Sequence, residues 1–157
     1  MDGSPLPKGV QIGSLLTLLT GLFVFVVAVY FFVNFYIGLT NPSEPWRSGQ
    51  FTPVSYSLDD LKAYDATIAT DFILAQHIEF ANVMNTGFAI VLITIFGLRR
   101  RQKWSWYMLL AIFLWVGLND AIALWHAQQP LIPLIPEVIG LTGLFIARRS
   151  IFSTRQL

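Results

Sequence analysis

The residues able to do chemistry in this chain are few, and they are grouped. Asp71, His77, Glu79, Asn82 and Asn85 share one stretch, Asn119, Asp120 and His126 a second, and Glu137 opens a third. Long apolar runs surround all three, so these polar groups are set in hydrophobic sequence. A carboxyl group in an apolar pocket can donate or accept a proton near neutrality. Glu79 and Asp120 are the pair expected to carry acid–base chemistry of that kind. Asn82 and Asn119 would orient the polar groups of a ligand, and Trp115 and Trp125 would form apolar walls. His77, His126 and Glu137 would complete the lining.

The same side chains are also potential ligands for zinc, iron or manganese. Their spacing argues against a metal centre. No Glu-x-x-His pair of the di-iron type is present, nor two histidines one turn apart on a helix. Haem ligation by His77 and His126 would need both at one depth, and they differ. No metal site is therefore assigned, and the sequence identifies no cofactor. With no cysteine there is no disulfide, thiolate nucleophile or iron–sulfur cluster. A net charge of +1, without basic clusters outside short turns, gives no footprint for nucleic acid.

The elements that must position these residues follow from composition. Hydrophobic residues make up 55% of the chain and charged residues 12%, about half the charged share of a soluble domain. Lipid is the expected solvent. A hydrocarbon core of about 30 Å needs roughly 20 apolar residues per helix. Four stretches supply that: 12–39, 72–98, 104–126 and 131–150, the last opening on Pro130, Pro133 and Pro136. Proline is tolerated in a first helical turn, so a helix starting near Pro133 reaches Phe152. The fold class expected is all-α, a polytopic membrane protein of four transmembrane helices in an antiparallel bundle, with residues 1–157 as one domain.

Orientation follows from the basic residues. Lys8, the cluster Arg99, Arg100, Arg101 and Lys103, and Arg148, Arg149 and Arg155 all fall at one side under this topology. By the positive-inside rule that side is cytoplasmic, with both termini. The first span lacks a clean small-x-small cleavage site and reads as a retained helix. With no targeting peptide recognised, a prokaryotic plasma membrane is the expected location. The polar groups then fall in the outer halves of spans two, three and four, as a cup open outward above an apolar inner half.

Helical spacing sorts them further. Glu79, Asn82 and Thr86 share a stripe, as do Asn119, Ala123 and His126, whereas His77 lies about 200° round the helix from Glu79. The outer loop, 40–70, carries Trp46, Phe51, Tyr56 and Tyr64 and is expected to rest on the membrane or cap the bundle. Within it Ser57 reads as a helix cap with Asp60 in the first turn, and a helix from Leu58 is expected to run unbroken into span two. Gly13, Gly21 and Gly38 on span one, and Gly140 with Gly143 on span four, offer close-approach surfaces, with no G-x-x-x-G expected in the spans.

The run Arg99-Arg100-Arg101-Gln102-Lys103-Trp104-Ser105-Trp106, an arginine-rich turn before a Trp-x-Trp helix start, resembles small uncharacterised bacterial four-helix membrane proteins. The resemblance covers about half the chain and implies the fold alone. The layout of His77 and Glu79 among tryptophans is loosely similar to the emopamil-binding sterol isomerases. That family sets its His and Glu one helical turn apart, and His77-Ile78-Glu79 does not, so no role is carried across. The function expected is binding, and acid–base conversion, of a small lipophilic or amphipathic molecule entering from the outer leaflet. Membrane lipids are expected partners. The alternatives are an accessory subunit in a homo-oligomer or larger membrane complex, and a metal- or haem-binding membrane protein.

Overall fold

A computed structural model describes residues 6–43, 57–127 and 134–153, apart from the side chains of Ala123, Leu124, His126 and Ala127. The described chain is helical throughout. Its elements are α1 (Lys8–Thr40), α2 (Leu58–Tyr64), α3 (Ala66–Ile93), α4 (Lys103–Ala127) and α5 (Leu134–Phe152), with one π turn, Thr94–Leu98, closing α3. Residues 44–56, which hold Trp46, Phe51 and Tyr56 of the outer loop, and the prolines 130 and 133 lie outside the described residues.

Three helical stretches are long and apolar enough to cross a membrane: Lys8–Thr40, Ala66–Leu98 and Lys103–Ile122. The fourth expected span is helical as α5 but is not among them. It has 19 residues and holds Glu137, Arg148 and Arg149 within that length. The first two stretches, of 33 residues each, are about 50 Å long at 1.5 Å per residue, well beyond the hydrocarbon thickness.

The chain forms two compact units. One comprises residues 1–24 with 86–157, the other residues 25–85. In the first, an apolar core that includes Ile90, Leu98, Trp106, Leu109, Phe113 and Leu144 is joined by hydroxylated residues: Ser14, Thr17, Thr20, Thr94 and Ser105 are also buried, while Leu15, Leu19, Phe23, Leu114 and Leu118 are exposed. Buried hydroxyls beside exposed large apolar side chains depart from the usual arrangement in water. The buried hydroxyls bond back into their own helices, Thr17 to the Gly13 carbonyl, Thr20 to Leu16 at 3.0 Å and Thr94 to Ile90 at 2.7 Å. They therefore enter the interior without an unpaired donor.

Small residues there let backbones touch. A Cβ on Gly13 would collide with the Gly143 carbonyl oxygen, and one on Gly143 would lie 2.8 Å from the Gly13 oxygen. α1 and α5 thus meet backbone to backbone. Because α1 starts at Lys8 and not at Ile12, Gly9 joins the same face, 2.9 Å from Ser150 Oγ by the same construction. Gly9-Val10-Gln11-Ile12-Gly13 is then a G-x-x-x-G motif that a span starting at Ile12 leaves out.

α5 runs in the opposite direction to α4. Arg148 lies over the Trp106 ring at 5.6 Å, the Trp106 indole donates to the Leu144 carbonyl at 2.9 Å, and Gly117 faces Glu137. As many residues separate Trp106 from Gly117 as Glu137 from Arg148, so the two helices stay in step along this length. The turn joining α3 to α4 is closed by the π step, Arg99 N–H to Thr94 O at 3.0 Å, and by Arg101 at φ 58°. The Arg101 guanidinium donates to the Ser150 carbonyl at 3.0 Å, satisfying one of the open carbonyls of the last turn of α5.

The second unit is built of rings. Phe35, Leu58, Ala69 and Phe80 are buried, with Phe31, Phe32 and Phe72 packed on them, and Phe35 meets Phe80 edge to face at 5.7 Å. Ser57 caps α2 as expected: its hydroxyl accepts from Asp60 N–H, and the Asp60 carboxylate accepts from Ser57 N–H at 2.8 Å and its hydroxyl at 2.7 Å. Those donors hold the Asp60 carboxyl below its ordinary pKa. The expectation of one unbroken helix from Leu58 into span two is wrong. Asp65 is extended, at φ −159° and ψ 116°, and separates α2 from α3. Its carboxylate accepts from Thr67 N–H at 2.7 Å and Ile68 N–H at 3.2 Å, so a short acidic side chain that caps the next helix ends the first.

Candidate functional site

The expected site residues divide between the two units. His77, Glu79 and Asn82 lie on α3 within residues 25–85; Trp115, Asn119, Asp120 and Trp125 on α4, and Glu137 on α5, belong to the other unit. His126 lies in α4, and its side chain is outside the described part of the chain.

In the smaller unit, His77 is held from α1. Tyr36 Oη lies 2.9 Å from His77 Nδ1, and the Phe32 and Tyr36 rings stand 5.8 and 6.2 Å from the imidazole. Glu79 is exposed and accepts from Gln76 of its own helix at 3.0 Å. The two side chains two residues apart thus have separate partners, as the helical angle between them requires. The Tyr36 partner had only one sequence signal, its position among the aromatic residues closing the first span.

In the larger unit the focus is Glu137, on the first turn of α5 and only 6% exposed. Its Oε2 is buried and, among the described residues, has no hydrogen-bond partner. Asp120 of α4 lies within electrostatic reach of Glu137. Thr20 of α1 donates to the carbonyl of the neighbouring Pro136 at 3.3 Å, so a residue from α1 also meets this turn. A buried carboxyl group with a free oxygen thus lies within electrostatic reach of a carboxyl group on a second helix. This pairing, of Asp120 with Glu137, is one that sequence spacing did not select.

The other expected lining residues face outward. Trp115 is 67% and Trp125 85% exposed, and Asn119 is exposed with its amide donating to the Trp115 carbonyl at 2.8 Å. Among the described residues no three His, Asp or Glu side chains gather closely enough to hold a metal ion. Described grooves lie elsewhere, at the arginine-rich end of the larger unit; one of about 410 Å³ is lined by Leu6, Gln11, Ser14, Leu15, Leu18 and Arg99.

No protein-family model matches the chain, and no curated protein or solved structure matches it significantly. The class of protein defined so far is therefore a helical one with three helices long and apolar enough to span a membrane.

Proposed function

We propose that the chain is a four-span antiparallel bundle in the plasma membrane, with both termini and the Arg99–Lys103 turn cytoplasmic. We further propose that it binds, and by acid–base chemistry converts, a small lipophilic or amphipathic molecule. The in-step pairing of α5 with α4 supports the fourth span, since a helix packed along one that crosses the bilayer is carried across with it. Its arginines then lie at the same end as Arg101, in agreement with the positive-inside rule.

The observation that carries the functional reading is the buried, unpartnered Oε2 of Glu137. Glu137, in the first turn of α5 and about 16 Å along it from Arg148, falls in the outer half of the proposed span. A carboxyl oxygen at that depth is costly without a donor, and ionisable groups in such places mark functional sites. A ligand bearing a hydroxyl, amine or polarised C–H group would supply the donor. With Asp120 beside it, one carboxylate takes a proton from the bound molecule while the other, protonated, returns one elsewhere on it. The molecule is isomerised and the pair exchanges charge state. Glu79, with His77 held by Tyr36, is the second acid–base group, toward the outer end of α3.

Native mass spectrometry of protein extracted gently with its own lipids tests this. Wild type should retain a small molecule that Glu137→Gln releases, with both proteins equally helical by circular dichroism. A wild type that emerges empty and attached to a defined protein partner would contradict it, and would make the chain a subunit of a larger complex.

A further inference from the structure

We infer that the arginine-rich end of the larger unit is a binding site for the phosphate headgroup of an anionic phospholipid. The inference rests on the membrane reading above and is independent of Glu137.

A groove of about 450 Å³ is lined by Pro7 ahead of α1, Arg101 of the α3–α4 turn, and Arg149, Ser150 and Ser153 at the end of α5. Arg149 and Ser153 also line an adjoining groove of about 550 Å³, whose remaining walls are Phe145, Arg148 and Phe152. A basic, hydroxyl-bearing pocket thus opens directly onto an aromatic one. That sequence of surfaces matches a phosphate headgroup followed by the upper part of an acyl chain. A free inorganic anion has no use for the second.

Among the described residues the charge is unopposed. Lys8, Arg99, Arg100, Arg101, Lys103, Arg148 and Arg149 lie at or beside this end, whereas the described acidic residues of this unit are Asp120 and Glu137. Glu137 stands about 16 Å away along α5. The cations are placed by rings and carbonyls instead. Arg148 lies over Trp106 at 5.6 Å, Lys103 over Phe152 at 5.9 Å, and Arg101 donates to Ser150 O at 3.0 Å. Cation–π contacts and carbonyl bonds fix a guanidinium without neutralising it, which leaves its charge for an anion. A guanidinium also meets a phosphate through two parallel N–H groups, a geometry that lysine lacks. Basic pockets between membrane helices on the cytoplasmic side bind acidic headgroups for these reasons.

The test uses the full chain in nanodiscs of phosphatidylcholine with a small fraction of phosphatidylglycerol, reading co-retained lipid by native mass spectrometry. Wild type should retain phosphatidylglycerol in preference to phosphatidylcholine. Arg148→Gln with Arg149→Gln should weaken that retention about thirtyfold, and Arg99→Gln with Arg100→Gln, which removes the same charge, by less than about threefold. Equal losses in the two double variants would reduce the effect to general charge attraction and overturn the site. So would wild type showing no preference between the lipids. A thermal shift with inorganic phosphate equal to that with phosphatidylglycerol would assign the groove to a free anion and overturn the lipid. Should the first double variant fail to fold, Arg149→Lys keeps the charge and removes the paired N–H donors. It should still lose most of the preference, and full retention there would contradict the proposal.

Discussion

The two compact units add different features to an apolar core. Residues 1–24 with 86–157 bury serine, threonine and close-packed glycine beside apolar side chains such as Leu109, Phe113 and Leu144; residues 25–85 bury phenylalanine and cap their helices with Ser57, Asp60 and Asp65. In lipid, outward apolar side chains cost nothing, so association relies on close backbone packing. Where water competes, burial of rings and satisfied helix ends does the work instead. The contrast teaches that one chain carries both rules, backbone contact between α1 and α5 in one unit and ring packing with capped helix ends in the other.

The largest effect that would break this contrast is expected at the α1–α5 contact. Gly13→Leu places a side chain where the Gly143 carbonyl sits and should prevent α5 from docking. In detergent, thermal unfolding should lose its cooperative transition, or fall by the equivalent of about 3 kcal/mol or more. Tolerance of leucine at Gly13 would contradict backbone contact there.

Next comes the aromatic unit. Phe35→Ala leaves a cavity among Phe80, Phe31 and Phe32 and should cost about 3–5 kcal/mol. Hydrogen exchange should locate the loss of protection in residues 25–85. Equal loss in both units would show that they do not stand as separate compact bodies.

A smaller effect, of opposite sign, is expected at Glu137. Replacing its carboxyl by leucine removes a buried oxygen, Oε2, that has no donor and should stabilise the fold by about 1–3 kcal/mol while abolishing ligand retention. A destabilised Glu137→Leu variant would mean that this carboxyl is satisfied and structural.

The smallest is the α2 cap. Asp60 has a lowered folded pKa, so its contribution is present above the ordinary aspartate value of about 3.9 and is lost as pH falls through the folded value. Exchange protection of α2 amides should therefore decline at acid pH in wild type, and this acid step should shrink in Ser57→Ala, which keeps the backbone donor, and be absent in Asp60→Ala. A cap insensitive to acid would contradict the reciprocal Ser57–Asp60 bonds.

What the sequence reveals and what it hides follow from range. Helices are local, so uninterrupted apolar runs located all four expected helical stretches, and the Ser57–Asp60 box is legible because both partners sit within one turn. The break at Asp65 was missed because an aspartate inside a helical pattern reads equally as surface or cap. Gly9 was missed because hydropathy, and not packing, set the start of the first span. Asp120 comes within electrostatic reach of Glu137 through the register of α4 on α5, fixed by Phe113 fitting against Gly140 and Trp106 reaching Leu144, and no spacing rule within one helix encodes that. Glu79 and Asp120, chosen as a pair for their chemistry, belong to different units.

The most direct test of the central claim, that α5 completes a four-span membrane protein around Glu137, exploits the absence of cysteine from the chain. Single cysteines at Arg100, Asn41 and Ser153 can be labelled in intact cells and in inverted vesicles with a membrane-impermeant maleimide. The account predicts that Arg100→Cys and Ser153→Cys react only from the cytoplasmic side and Asn41→Cys only from the outside. Labelling of Ser153→Cys from the side opposite to Arg100→Cys would leave three crossings, and would contradict it.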